Sequence, residues 1–235
     1  MALFRRYWGD CPYKRYIVTN ELSPSFEGFT TLRLGRDRSW SDNLSKALDL
    51  IAEPYVLLFL EDLMLLEPVD RSLLGRAMEW AHDNKPQQLK LNATERPDER
   101  VNDIVGRVQE GAIYRTSTVL TLWKREVLLS LLRPGESAWQ FEIDGSSRSD
   151  AFPGFYSTYR DCFPVVNSVI KGSWRRSAVR ALAARGIEVD LSARAQLTEA
   201  GELAFFMKGI RSRLFKLVPM GYRRRLRLFL LKGHR

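Results

Sequence analysis

The stretch Tyr55-Val-Leu-Leu-Phe-Leu-Glu61-Asp62-Leu-Met-Leu-Leu-Glu67 constrains the fold of this chain more than any other. Val56 to Leu60 form an unbroken apolar run, the pattern of a strand buried on both faces of a sheet. Two adjacent carboxylates, Glu61 and Asp62, interrupt it before a second apolar burst from Leu63 to Leu66. Carboxylates at the end of a buried strand cost on the order of several kcal/mol unless a cation or hydrogen-bond donors meet them. The carboxyl ends of strands in open α/β sheets are also where ligands bind. Spacing alone leaves a plainer alternative open, an acidic cap for a following helix.

Around this stretch, strand and helix signals alternate from the N-terminus to Asn92. Residues 2–9 read as a helix stopped by Gly9, Tyr16–Asn20 and Phe29–Leu34 as strands, and Ser39 or Ser41 as the cap of a helix whose core face is Leu44, Leu48 and Ile51. Asp70 can cap a helix over Arg71–Asp83, and Gln88–Asn92 is a short strand. Such alternation predicts an α/β fold, a mostly parallel sheet with helices on both faces. Beyond it the signals are less regular. Thr94–Val105 reads as a mobile loop, Lys124–Leu132 as a helix, Glu136–Glu142 as a short helix and Gly145–Asp150 as a flexible loop. Tyr156–Ile170 mixes strand and turn signals, and an Ala/Arg helix ends at Gly186.

Charge divides the chain. Phe205 to Arg235 holds ten Lys and Arg and no acid; removing those from the total of 37 leaves 27 basic against 28 acidic residues in the body. Cys11 and Cys162 are too few for a disulfide framework, and no Cys/His cluster has zinc spacing, which fits a reducing cytosol. No apolar run approaches the roughly 20 residues of a membrane span. The tail instead alternates apolar anchors with Arg211, Arg213, Lys216, Arg223, Arg224, Arg225 and Arg227, the composition of helices that lie on an anionic membrane surface. A basic helix packed on the domain is the simpler alternative. Without a recognised nucleic-acid module, a nucleic-acid partner is not expected.

Several local patterns also follow one another in order: Tyr7-Trp8-x-Asp10-Cys-Pro12-Tyr13; Trp40-Ser41 before the Leu44/Leu48 helix; Tyr55-Val-x-x-x-Leu-Glu61-Asp62 with Val69-Asp70 behind it; Leu122-Trp123; Glu136-Ser-x-Trp139-x-Phe-Glu142; and Lys171-Gly-x-Trp174. Together they resemble bacterial nucleotide-sugar glycosyltransferases of the GT-A type, the kind that build cell-surface polysaccharide and lipopolysaccharide. The resemblance covers residues 3–195, with 196–235 as a basic helical appendage. It begins partway into that fold. The usual first strand, which helps hold the nucleotide base, has no counterpart before Met1, so either the true start lies upstream or the sheet lacks an element.

The resemblance implies a Rossmann-like GT-A domain that moves a sugar, with inversion, from a nucleotide-diphosphate donor to a glycan or lipid-linked acceptor. Glu61 and Asp62 would be the acidic motif facing the donor ribose, and Asp62 would be a ligand of a divalent Mn or Mg cation. Leu63 stands where a further acidic ligand is usual. Glu142 would be the general base, with Glu136 and Asp144 as rival carboxylates. Trp139-x-x-Glu142 sets an aromatic and a carboxylate one helical turn apart, and Trp139 or Phe141 would desolvate the acid, which suits a base. Trp139, Arg148 and Lys171 would complete the donor site, with Gly172 letting the backbone approach; a basic turn flanking a helix is the other reading of Lys171. The implied location is cytoplasmic, peripheral at the inner face of the cell membrane. A rival from another class is a degenerate, non-catalytic transferase acting as a membrane-surface scaffold.

Overall fold

The computed structural model describes residues 1–93, 96–205, 207 and 222. The membrane-facing cations expected at 211–227 lie outside the described residues. Among the described residues no helix is long and apolar enough to cross a membrane.

The fold is mixed α/β. Helix α1 (Ala2–Trp8) precedes strands β1 (Tyr16–Thr19) and β2 (Thr30–Arg33), helix α2 (Trp40–Asp49), β3 (Tyr55–Leu58), β4 (Leu63–Leu65) and α3 (Arg71–Asn84). Then come β5 (Gln88–Lys90), β6 (Glu99–Arg100), β7 (Val105–Arg107), β8 (Thr121–Lys124), α4 (Arg125–Leu131) and α5 (Ala138–Arg148). Strands β9 (Phe155–Thr158), β10 (Val165–Asn167), β11 (Val169–Ile170) and β12 (Ser173–Trp174) lead into α6 (Arg176–Ala183).

Local signals set the first helices. Ser39 caps α2, its hydroxyl accepting the Asp42 N–H at 3.1 Å, and Asp70 caps α3, its Oδ1 accepting the Leu73 N–H at 2.9 Å. Leu73, Leu74, Ala77 and Ala81 of α3 are buried at helical spacing.

The sheet differs from the mostly parallel expectation. Its six strands run in the order β3-β8-β5-β9-β7-β6, and β5–β9 is its one parallel pair. Strand β8 causes this. It follows the largely buried segment 108–120, returns antiparallel between β3 and β5, and so separates two strands that run the same way. The separate ribbon β1–β2 is also parallel.

The apolar strand is not central either. β3 bonds to β8 alone, so all four of its residues stay partly exposed. Its faces are covered nonetheless: Tyr55 and Leu57 join the cluster around α1 and α3, while Val56 and Leu58 join the cluster around α2, α4 and α5. Both-face burial produced the apolar run, as the pattern indicated, but edge position is not encoded in it.

Three further stretches depart from expectation. Within Thr94–Val105, read as a mobile loop, Glu99 and Arg100 form β6, which closes with β7 as a hairpin, its turn held by Asn102 Oδ1 accepting the Ile104 and Val105 N–H groups at 2.8 and 2.7 Å. Lys124, read as the first residue of a helix, instead ends the strand β8, and the helix α4 starts at Arg125. Gly145–Arg148, read as flexible, continues α5. A Cβ at Gly145 would lie 3.2 Å from the Phe141 ring and from Thr116 Oγ1, so this glycine serves close helix packing.

Cys11 and Cys162 are free and buried. Burial pushes the Cys162 thiol up to about 12, with the nearby Asp70 and Asp161 charges adding. The unfolded chain ionises this thiol near 9.0, so the stability that rests on it falls as pH rises from there toward 12. Alkylation at pH 8.5 is expected to leave Cys162 unmodified in the native protein and to label it fully in urea; mass spectrometry of labelled peptides checks this.

Candidate functional site

Strands β3, β5 and β9 point the same way, so their carboxyl ends share one edge of the sheet with the start of β8. The acidic pair stands at this edge. Glu61 and Asp62 form the turn joining β3 to β4, and β4 pairs antiparallel with β10. The pair is therefore not a helix cap, because the second apolar burst becomes a strand and Asp70 caps the next helix.

The two carboxylates differ in surroundings. Glu61 is exposed. Asp62 is half-buried, and its Oδ1 is sealed from solvent with no hydrogen-bond partner among the described residues. Desolvation holds its carboxyl above the ordinary value and the charge of Glu61 adds to this, while its own backbone N–H and then Arg194 partly offset it. Its backbone carbonyl is fixed by the Ser168 N–H at 2.8 Å and the Ser168 hydroxyl at 2.7 Å. A buried carboxylate oxygen without a donor is expensive in a folded protein and marks a place where a ligand hydroxyl or a cation fits.

Glu142 reaches the same edge from α5. Its Oε1 accepts the Thr118 N–H at 2.8 Å and the Thr118 hydroxyl at 2.9 Å, while Oε2 is left open. The β3–β8 pairing ends with Leu58 opposite Thr121, so the loop before β8 leaves the same end of the sheet as the acidic turn. That loop is tightly built: Thr116 Oγ1 donates to the Phe141 carbonyl at 3.1 Å, Trp123 Nε1 donates to the Ser117 carbonyl at 3.0 Å, and fully buried Leu120 holds φ at 45°. Trp139 is 54% exposed and Phe141 turns into the core. Trp139 instead offers an open ring one turn before Glu142. The rival Asp144 is partly exposed on the same helix.

Arg148 does not join the site. Its Nε donates to the Leu131 carbonyl at 2.9 Å and its two terminal nitrogens grip both oxygens of Glu136 at 2.8 Å. That bidentate pair also removes Glu136 as a rival base. Lys171 and Gly172 form the two-residue turn of the β11–β12 hairpin, with φ of 48° and 77°, as a tight hairpin requires. Open space surrounds Gly172, so backbone conformation rather than a close neighbour calls for glycine there.

Among the described residues no three His, Cys, Asp or Glu side chains gather as a metal site. Asp62 Oδ1 by itself suits Mg²⁺ or Mn²⁺ only as a single protein ligand, the remaining positions being filled by water and phosphate oxygens. Comparison with protein-family models, with curated proteins and with solved structures yields no match.

Two outcomes are expected from these contacts. Arg148→Ala leaves the largely buried Glu136 without its partner and lowers the unfolding free energy by about 2 kcal/mol in urea titration, with ligand affinity unchanged. Asp62→Asn removes a charge whose burial opposes folding above the ordinary carboxylate range. The unliganded variant should melt higher than the wild type at pH 7, with the gain shrinking as pH falls toward 4.

Proposed function

We propose that the chain is a glycosyltransferase that moves a sugar, with inversion, from a nucleotide-diphosphate donor to a glycan or lipid-linked acceptor in surface-polysaccharide assembly. The observation that carries this reading is that Asp62, with its unpartnered buried oxygen, and Thr118, which anchors one oxygen of Glu142 and leaves the other open, both lie beyond the carboxyl end of β3. A GT-A-like fold belongs to the proposal. It is supported by the common direction of β3, β5 and β9 and by the acidic turn at the carboxyl end of β3.

In this reading Asp62 Oδ1 accepts a hydroxyl of the donor ribose or sugar, and exposed Trp139 offers a face for a pyranose ring. Glu142 Oε2 takes the proton of the acceptor hydroxyl. That oxygen attacks the anomeric carbon from the face opposite the diphosphate, and the bond from carbon to phosphate oxygen breaks as the new glycosidic bond forms. Thr118 supports the step by holding Oε1 through two donors, which fixes the direction of Oε2. A divalent cation, when bound, neutralises charge on the departing diphosphate, and Asp62 is the residue to hold it. The basic tail would keep the enzyme at the inner membrane surface beside its acceptor.

One observation favours the non-catalytic rival. The acidic turn follows an edge strand, and β1–β2 stand apart as a separate ribbon, so the sheet is not continuous beside the donor position.

Glu142→Gln separates the two. Glutamine keeps an oxygen for the Thr118 donors but cannot take a proton. The expected result is loss of transfer by at least about 100-fold with unchanged donor binding, measured by donor consumption and by calorimetry. A variant that turns over like the wild type removes Glu142 from the mechanism. A wild type whose melting temperature no nucleotide sugar shifts favours the scaffold reading.

A further inference from the structure

We propose that Arg194 and the indole N–H of Trp174 form the phosphate-binding half of the donor site. The inference rests on the transferase reading and places the cation that the sequence assigned to Arg148 and Lys171.

The residues assemble as follows. The β11–β12 hairpin gains a third stretch of chain when the Trp174 N–H donates to the Ala195 carbonyl at 2.9 Å and the Leu197 N–H donates to the Trp174 carbonyl at 2.8 Å. Just before this stretch, the Asp190 carboxylate accepts the Ser192 N–H and hydroxyl and the Ala193 N–H at 2.8, 2.6 and 3.2 Å, a turn that sets the direction of the next residue. That residue is Arg194, whose guanidinium carbon lies 5.7 Å from the centre of the Trp174 ring. The same hairpin is fastened to the acidic turn. The Arg175 N–H donates to the Ser168 carbonyl at 2.9 Å, and Ser168 holds the Asp62 carbonyl through its N–H and hydroxyl at 2.8 and 2.7 Å.

Three unmet groups therefore share one small unit. Asp62 Oδ1 and Trp174 Nε1 are buried without partners, and exposed Arg194 has no carboxylate at ion-pair distance among the described residues. Their chemistry selects a ligand. Free phosphate meets the negative Asp62 and is disfavoured there, while a neutral sugar leaves the guanidinium without an anion. A sugar phosphate answers all three: its hydroxyl donates to Asp62, and its phosphoryl oxygens accept from Trp174 Nε1 and Arg194. Oδ1 and Nε1 are sealed from solvent, so binding requires the unit to open around them.

Calorimetry on the full chain with UDP, GDP, ADP and dTDP, and with the matching nucleosides, tests this. For whichever diphosphate the wild type binds, Arg194→Ala should weaken affinity about tenfold or more and leave nucleoside affinity unchanged. Arg194→Lys should recover part of the loss. Trp174→Phe keeps the ring under the guanidinium but removes the N–H, and should cost about threefold to tenfold. Arg194 is exposed, so its variants should stay folded, with the apo melting temperature falling only slightly through the lost Trp174 contact and the weaker support of the Asp62 charge. If Arg194→Ala binds the diphosphate like the wild type while Asp62→Asn does not, the phosphate assignment falls and the transferase reading stands. If the wild type binds none of the four diphosphates, both fall.

Discussion

Strand β8 is the constraint on which the rest of the structure depends. It is bonded on both sides, to β3 through four residues and to β5 through three, and its Trp123 is fully buried against Phe141 and Phe155. Without it the apolar β3 would have no partner in the sheet, and the two hydrophobic clusters it separates would not be divided. It also sets the reach of the loop before it. Residues 116–118 emerge at the carboxyl end of β3, where Thr118 can hold Glu142 and where Glu61 and Asp62 make their turn.

The site edge is expensive in several small ways at once. A carboxylate oxygen and an indole N–H are buried without partners, Asp62 is held next to Glu61, and Leu120 adopts a backbone conformation that a leucine avoids. Each feature opposes stability, and each is fixed by well-packed neighbours: Leu120 lies in the main core, and the loop around Thr116 is stitched to α5. Local cost maintained by rigid surroundings is the usual condition of a ligand site. The bidentate Arg148–Glu136 pair is the contrasting case on the same helix. Both charges there are satisfied, and the pair closes α5 onto the end of α4.

What was legible in the sequence was short-range. Ser39 and Asp70 cap their helices, and Leu73, Leu74, Ala77 and Ala81 bury one helical stripe, because each depends on neighbours within about four residues. The prominence of Tyr55–Glu67 was also legible, since an apolar run ending in adjacent carboxylates has few ways to be buried. Arg148 was misread because Glu136, its partner, stands twelve residues away in sequence and meets it only when α5 extends through Gly145.

The sequence by itself determined where the helices start, which faces they bury, and that an acidic turn closes an apolar strand. Only the tertiary structure decided that the sheet is mixed, that β3 is its edge, and that Glu142, Thr118 and Asp62 share one end of it. It also placed Arg194 over Trp174, a pairing made by a bridge across twenty residues of chain. The physical reason is the range of the forces. Capping, turn geometry and helical periodicity act between near neighbours, whereas strand order and the meeting of charges depend on which distant segments exclude water from one another.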